Sequence, residues 1–202
     1  MRKPCMPLLA VVTLVFVGGG CAPASVGKRM PGIHNFAPVA GAPQKIYRGG
    51  QPTRQGIDRL AQEDLNVTTV INLRDDFEPW EKVAVTARGM TYKGIESNAG
   101  RVDKAKVRAF LRAITSAPGA VYVHCRQGRD RAGLGIAMYR VLVEGWSREA
   151  AIAELHEHGY NQFWFPGIER FIRTFDAAEF RDAVSARGGT GEPRAAATLV
   201  EP

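Results

Sequence analysis

Apolar positions change their period repeatedly between residues 45 and 180. Val67 to Leu73 (VTTVINL) is a continuous β-branched run, the pattern of a strand buried on both faces. Ala120 to His124 (AVYVH) has the same character, and shorter strands are expected at Lys45–Tyr47 and Thr91–Ile95. Helical stretches separate them, over Thr53–Asp64, Pro79–Arg88 and Asp103–Thr115, the last with Val107, Leu111 and Ile114 on one face. Leu134, Met138, Val141 and Leu142 share a face in a following helix that Gly145 ends. Ser147 caps another helix, running to about His158 with Ala151, Ile152 and Leu155 inward. Ile168, Phe171, Ile172 and Phe175 mark a last one. Strand and helix in alternation predict an α/β fold, a mostly parallel central sheet flanked by helices.

The flanks lack such periods. Residues 1–20 read as an export signal: Arg2 and Lys3, then an apolar run from Met6 to Val17 too short to span a bilayer, then three glycines. Cys21 after small residues resembles a bacterial lipobox, with Gly18 where Leu is usual, and is the expected lipidation site. The chain is accordingly expected to be an exported cell-envelope lipoprotein, periplasm-facing or in the outer membrane, or alternatively secreted. Residues 21–43, rich in Pro, Ala and Gly, read as a flexible tether, residues 44–180 as the folded domain, and residues 181–202 as a flexible tail.

Composition sharpens this picture at two points. The formal charge of +7 loses two with Arg2 and Lys3, leaving a mildly basic domain that fits an acidic ligand, an anionic membrane surface or simply good solubility, and no nucleic-acid partner is expected. Of the 3 cysteines, Cys5 leaves with the signal and lipid consumes Cys21. Cys125 then remains without a disulfide partner, as a thiol available for chemistry.

Its surroundings favour that use. Residues 120–135 read AVYVHCRQGRDRAGLG, placing Cys125 where a strand's carboxyl end turns into a helix. Ligands bind at such ends in α/β folds, and loop amides together with a helix N-terminus attract anions. Gly128 and Gly133 suit close backbone approach, the positive setting would favour a Cys125 thiolate, and Arg131 could grip two oxygens of a tetrahedral oxyanion.

HCRQGRDR resembles the His-Cys-x5-Arg signature of cysteine-dependent protein tyrosine and dual-specificity phosphatases. YRGGQP (Tyr47 to Pro52), VINLR (Val70 to Arg74), YKGIESN (Tyr92 to Asn98) and GWSREAAIAEL (Gly145 to Leu155) extend the likeness to atypical bacterial and plant-fungal members, over roughly residues 44 to 178. By chance the signature arises in about one chain in several hundred of this size. The resemblance implies a dual-specificity-phosphatase-like fold and a phosphocysteine intermediate on Cys125. Arg131 and the loop of Arg126, Gln127, Gly128 and Arg129 would bind the phosphoryl oxygens, and His124 would orient the loop. It implies no metal and no cofactor. His156 and His158 have no metal-site spacing with His124 and Cys125 and read as solvated helix residues.

Two positions depart from the family. Ala132 follows Arg131 where Ser or Thr is usual, which predicts a slower or altered hydrolysis step. Ala99 falls near the expected general acid, so the proton must come from elsewhere. Asp130 is the first choice, since myotubularin-type phosphatases also carry Asp just before the Arg; Glu96 is second, and Asp103 reads rather as a first-turn helix residue. Arg74 either lines the pocket or pairs with Asp75 or Asp76. Phe163, Trp164 and Phe165 read as core rather than as a substrate platform.

Arg126 and Arg129, with Arg101 or Lys104 nearby, open two substrate classes: phosphotyrosine, phosphoserine and phosphothreonine proteins, and phosphoinositides or inositol phosphates. The chain is expected to act as a monomer. The competing readings are a non-hydrolytic phosphate-binding lipoprotein and a rhodanese-like sulfurtransferase, which also seats a Cys in an anion-binding loop.

Overall fold

A computed structural model describes residues 30–185. Strands β1 (Ala37–Pro38), β2 (Ile46–Gly49), β3 (Val67–Asn72), β4 (Thr91–Gly94) and β5 (Ala120–His124) lie in one sheet of order β1-β2-β5-β3-β4. Only β1 is antiparallel to its neighbour. The helices are α1 (Arg54–Leu60), α2 (Pro79–Thr86), α3 (Lys104–Thr115), α4 (Asp130–Val143), α5 (Arg148–Glu157), α6 (Pro166–Thr174) and α7 (Arg181–Val184), with a short 3-10 turn at Ala177–Phe180.

The period of two in a strand sorts side chains to opposite faces, and here both faces are covered. Val70 and Tyr122 point to one side with Ile57 and Leu60 of α1 and Ala84 and Val85 of α2. Ile71, Val121 and Val123 point to the other, against Phe110 and Leu111 of α3, Ile136 of α4, Leu155 of α5 and Ile168 of α6. Each such fully buried side chain contributes about 1.5–3 kcal/mol relative to exposure, so the sheet is held from both sides. Arg140 ties α4 to α5: fully buried, it donates to Glu144 at 2.6 Å and to Glu154 at 2.6 Å and 3.0 Å, and lies over the ring of Trp146.

Register places the site. Gly49 and Asn72 both pair with His124, and Asn72 pairs with Gly94, so four parallel strands end in one row. The chain beyond each of those ends, at residues 50–53, 73–78, 95–103 and 125–129, emerges at the same edge, with β5 in the middle.

The folded unit is wider than the expected 44–180. Residues 30–43 are no tether: Ile33, Phe36, Ala37 and Val39 are buried, and β1 adds an edge strand. These anchors lie between Gly32 and Gly41, are interrupted by His34, Asn35 and Pro38, and lack the alternation of a strand, which hides them from pattern analysis; Pro38 is tolerated because it sits at an edge. At the other end α7 continues the fold past residue 180, with Ala183 buried. Phe163 and Trp164 also differ from expectation. They stand 84% and 69% exposed on the turn before α6, while Phe165 packs against the core. The export signal, Cys21 and the tail from residue 186 lie outside the described residues.

Candidate active site

His124 closes β5 and is fully buried on the α1/α2 side, stacked on Tyr122 at 5.5 Å between ring centroids. Its Nε2 lies 2.8 Å from Glu81 Oε1, a close polar contact out of line for a strong hydrogen bond. Glu81 stands in the first turn of α2, where the helix dipole favours a carboxylate. Asn72 donates to its other oxygen at 2.6 Å. Burial by itself would raise the Glu81 pKa; His124, Gln51 and Asn72 outweigh it and hold the carboxyl below its ordinary value. A buried acid–imidazole contact thus sits directly under the loop that begins at Cys125.

Cys125 is a free, buried thiol at the base of that loop. The loop is pinned from the opposite strand. Arg48, fully buried on β2, donates to the Gly128 carbonyl at 2.9 Å and approaches that of Arg129 at 3.4 Å. Burial, against the pull of Glu154 and Cys125, brings the Arg48 pKa down to about 10. The Gln51 amide donates to the Arg126 carbonyl at 3.1 Å, and Asn35 reaches the Gly128 carbonyl at 3.3 Å. With its carbonyls bound outward to Arg48, Gln51 and Asn35, the loop is fixed beside the amide-rich N-terminus of α4, a setting that can hold a tetrahedral oxyanion.

Gly128 has φ +73°, and a Cβ there would collide with the Gly49 carbonyl. Gly128→Ala is therefore expected to cost about 2 kcal/mol or more in stability and to weaken phosphate binding. Denaturant unfolding and phosphate titration check both, and an unchanged midpoint would mean the close approach does not matter.

The charged residues of the mouth divide into several groups. Arg131, in the first turn of α4, donates to Asp75 at 2.5 Å and to the Ser97 carbonyl at 3.2 Å. Arg74 is buried and holds Asp76 in a two-pronged pair at 2.9 Å and 2.7 Å, with Gln51 Oε1 at 2.8 Å, so it braces the 73–78 loop against Gln51. Asp130 accepts from the Asn161 amide at 2.9 Å and thereby ties α4 to the turn that carries Phe163 and Trp164. Asp103 caps α3, accepting from the Ala105 amide. Glu96 is exposed in an open cleft with Asp75, Asn98, Arg101 and Lys106.

Arg126 and Gln127 are exposed at the loop's outer turn, and the Arg129 side chain runs alongside Gly159. Lys104 is drawn away to Glu179 at 2.7 Å, leaving Lys106 in the cleft in its place. His156 is exposed and meets Glu169 at 3.0 Å. His158 is not solvated as expected: it is half-buried, and burial with the nearby Arg48 charge pushes its pKa down to about 4. Ala132 is fully buried in the first turn of α4.

Three residues of this site escaped the sequence pattern: Arg48, Glu81 and Asp75. Arg48 left a trace, because it shares the inward phase of Ile46 in a strand where an apolar residue would be normal.

Comparison with known proteins follows the same outline. A profile of the tyrosine phosphatase family matches residues 32–156. The dual specificity protein phosphatase TpbA of Pseudomonas aeruginosa is 35% identical over 118 residues, 57% of this chain and 51% of that protein, so the chain spans about half the length of this curated relative. A crystal structure of TpbA matches with a TM-score of 0.63 at 28% identity, covering 81% of this chain and 98% of that one. A TpbA variant in complex with pTyr matches with a TM-score of 0.59 at 29% identity, covering 71% and 87%. The catalytic core of the PP-IP phosphatase SIW14 from S. cerevisiae shares the fold at 20% identity, with a TM-score of 0.66 and coverage of 76% and 93%.

Proposed function

Since the chain belongs to the tyrosine phosphatase family, we propose that it is a phosphomonoester hydrolase in which Cys125 carries the phosphoryl group from substrate to water. The observation that carries this reading is the stack at the centre of the sheet edge. Glu81 and His124 lie beneath, Cys125 sits at the loop's base, and Arg131 stands on the first turn of the helix that follows. Cys125 Sγ would attack phosphorus in line. Arg131 and the loop amides would take the equatorial oxygens, where transition-state charge is spread. Glu81 and His124 touch no substrate in this scheme; they set the end of β5 and hence the start of the loop.

Among phosphomonoesters, phosphotyrosine is the favoured class. Beyond Arg131 the mouth is mixed in charge, with Arg101 and Lys106 set among Asp75, Glu96 and Asp103, a poor match to a ligand with several phosphates. The pTyr complex of TpbA is consistent with that preference. A phosphate-release screen over phosphotyrosine, phosphoserine and phosphothreonine peptides, phosphoinositides and inositol phosphates tests it. The expected outcome is a kcat/KM for phosphotyrosine peptides at least about tenfold above the rest, a difference of ~1.4 kcal/mol in transition-state binding. Preference for an inositol polyphosphate would overturn the assignment of substrate class.

A further inference from the structure

A phosphomonoester with a poor leaving group needs a proton on the departing oxygen, and the mouth contains several carboxylates. Most are engaged. Asp130 accepts from the Asn161 amide, Asp103 caps α3, and Asp76 is gripped by both prongs of Arg74. Asp75 is held differently. Its Oδ1 lies 2.5 Å from Arg131 Nη1 and its Oδ2 3.4 Å from Asn98 Nδ2, and it stays well exposed to the cleft. Asn98 is itself set by the Gly100 and Arg101 amides, at 2.9 Å and 3.2 Å, so its side chain faces Asp75 from a fixed turn. One carboxylate thus rests on the side chain that must bind the phosphoryl group, within reach of a second loop and open to the substrate's side.

We infer that Asp75 is the general acid of this site, kept beside the reaction centre by Arg131 and freed for proton donation when Arg131 turns to the substrate. The inference rests on the phosphatase reading above. Arg131 Nη1 donates to Asp75 Oδ1. A phosphate dianion in the loop competes for the same guanidinium, and its two oxygens offer the better bidentate partner. Asp75 then gives up its guanidinium partner and stands free beside the bound phosphoryl group. In the first step Cys125 Sγ, as thiolate, forms the S–P bond while the P–O bond to the leaving group breaks. The Asp75 carboxyl proton passes to that oxygen, which leaves as the neutral alcohol or phenol. In the second step the Asp75 carboxylate takes a proton from water as its oxygen bonds to phosphorus, the S–P bond breaks, and Cys125 returns as thiolate with release of hydrogen phosphate. The cycle leaves Asp75 protonated, and charge balances at each step.

The test compares wild type, Asp75→Asn, Asp75→Glu, Asp130→Asn and Glu96→Gln on phosphotyrosine and on an aryl phosphate with a strongly activated leaving group. Thermal unfolding confirms that each variant is folded. For Asp75→Asn, kcat on phosphotyrosine is expected to fall about 100-fold or more, with a loss of less than about fivefold on the activated ester, which needs no proton. The fall of kcat toward alkaline pH should vanish with it, and Asp75→Glu should restore part of the rate. Equal losses on both substrates would mean that Asp75 only positions Arg131, and would overturn the inference. So would unchanged or increased turnover, the mark of a carboxylate that merely blocks Arg131, or the leaving-group signature appearing in Asp130→Asn or Glu96→Gln instead. Failure of the wild type on both esters would strike the underlying phosphatase reading as well, which separates the two kinds of failure.

Discussion

Cys125→Ser is expected to abolish turnover of every phosphomonoester, lowering kcat by about four orders of magnitude or more, the scale seen when an enzyme loses its nucleophile. Binding of inorganic phosphate should survive. The groups proposed to hold the anion are Arg131, the loop backbone and the start of α4, none of which depends on the sulfur. Turnover and phosphate titration on the same preparation separate the two effects. A variant that loses binding along with turnover would show that the thiol shapes the loop rather than attacking from it.

Glu81→Ala should produce the largest change in stability, about 3–5 kcal/mol, because it strips the carboxylate partner from a buried imidazole and from the Asn72 amide together. Glu81→Gln keeps the volume and should recover part of the loss. The same group sets an acid dependence. Its folded pKa lies below the unfolded one, so its contribution is fully present above roughly pH 4.3, the unfolded value. That contribution is lost as pH falls through the lowered folded value. Chemical denaturation from neutral to acid pH should therefore show a steeper decline in wild type than in Glu81→Gln. Parallel curves would mean that Glu81 carries no linked stability.

Much of this fold was legible because strands and helices announce themselves by period. Val67–Asn72 stands out as a β-branched run and Ala120–Val123 as an apolar one, and the caps at Thr53, Asp103 and Ser147 lie at the helix starts. The 30–43 segment was not legible, since Ile33, Phe36 and Val39 stand three apart in a stretch punctuated by Pro and Gly, a spacing without the alternation of a strand. At the site, the signature located Cys125, Arg131 and the loop between them, because that spacing is local to one strand–loop–helix turn. The partners that position the loop come from distant segments. Glu81 looks in the sequence like an ordinary solvated acid at a helix start, and only the packing of α2 against the end of β5 puts it on His124. Asp75 and Asp76 are adjacent and alike, yet one faces Arg131 and the other Arg74, a divergence no pattern of residue types encodes. Phe163 and Trp164 mislead in the opposite sense: aromatic residues before an amphipathic helix suggest core, but the turn tied down by Asp130 presents them outward.

Ala132 bears on the second half of the cycle. Buried against the core in the first turn of α4, it offers no hydroxyl to the departing sulfur. Hydrolysis of the phosphorylated enzyme should then be slow relative to its formation, and the intermediate should accumulate. That makes the decisive measurement accessible: acid quench of the enzyme within one turnover of an aryl phosphate, followed by peptide mass analysis. The account predicts a burst of released phenol matched by a phosphoryl adduct on the peptide that carries Cys125, absent in Cys125→Ser. Steady phosphate release with no adduct on Cys125, or an adduct on any other residue, would contradict it.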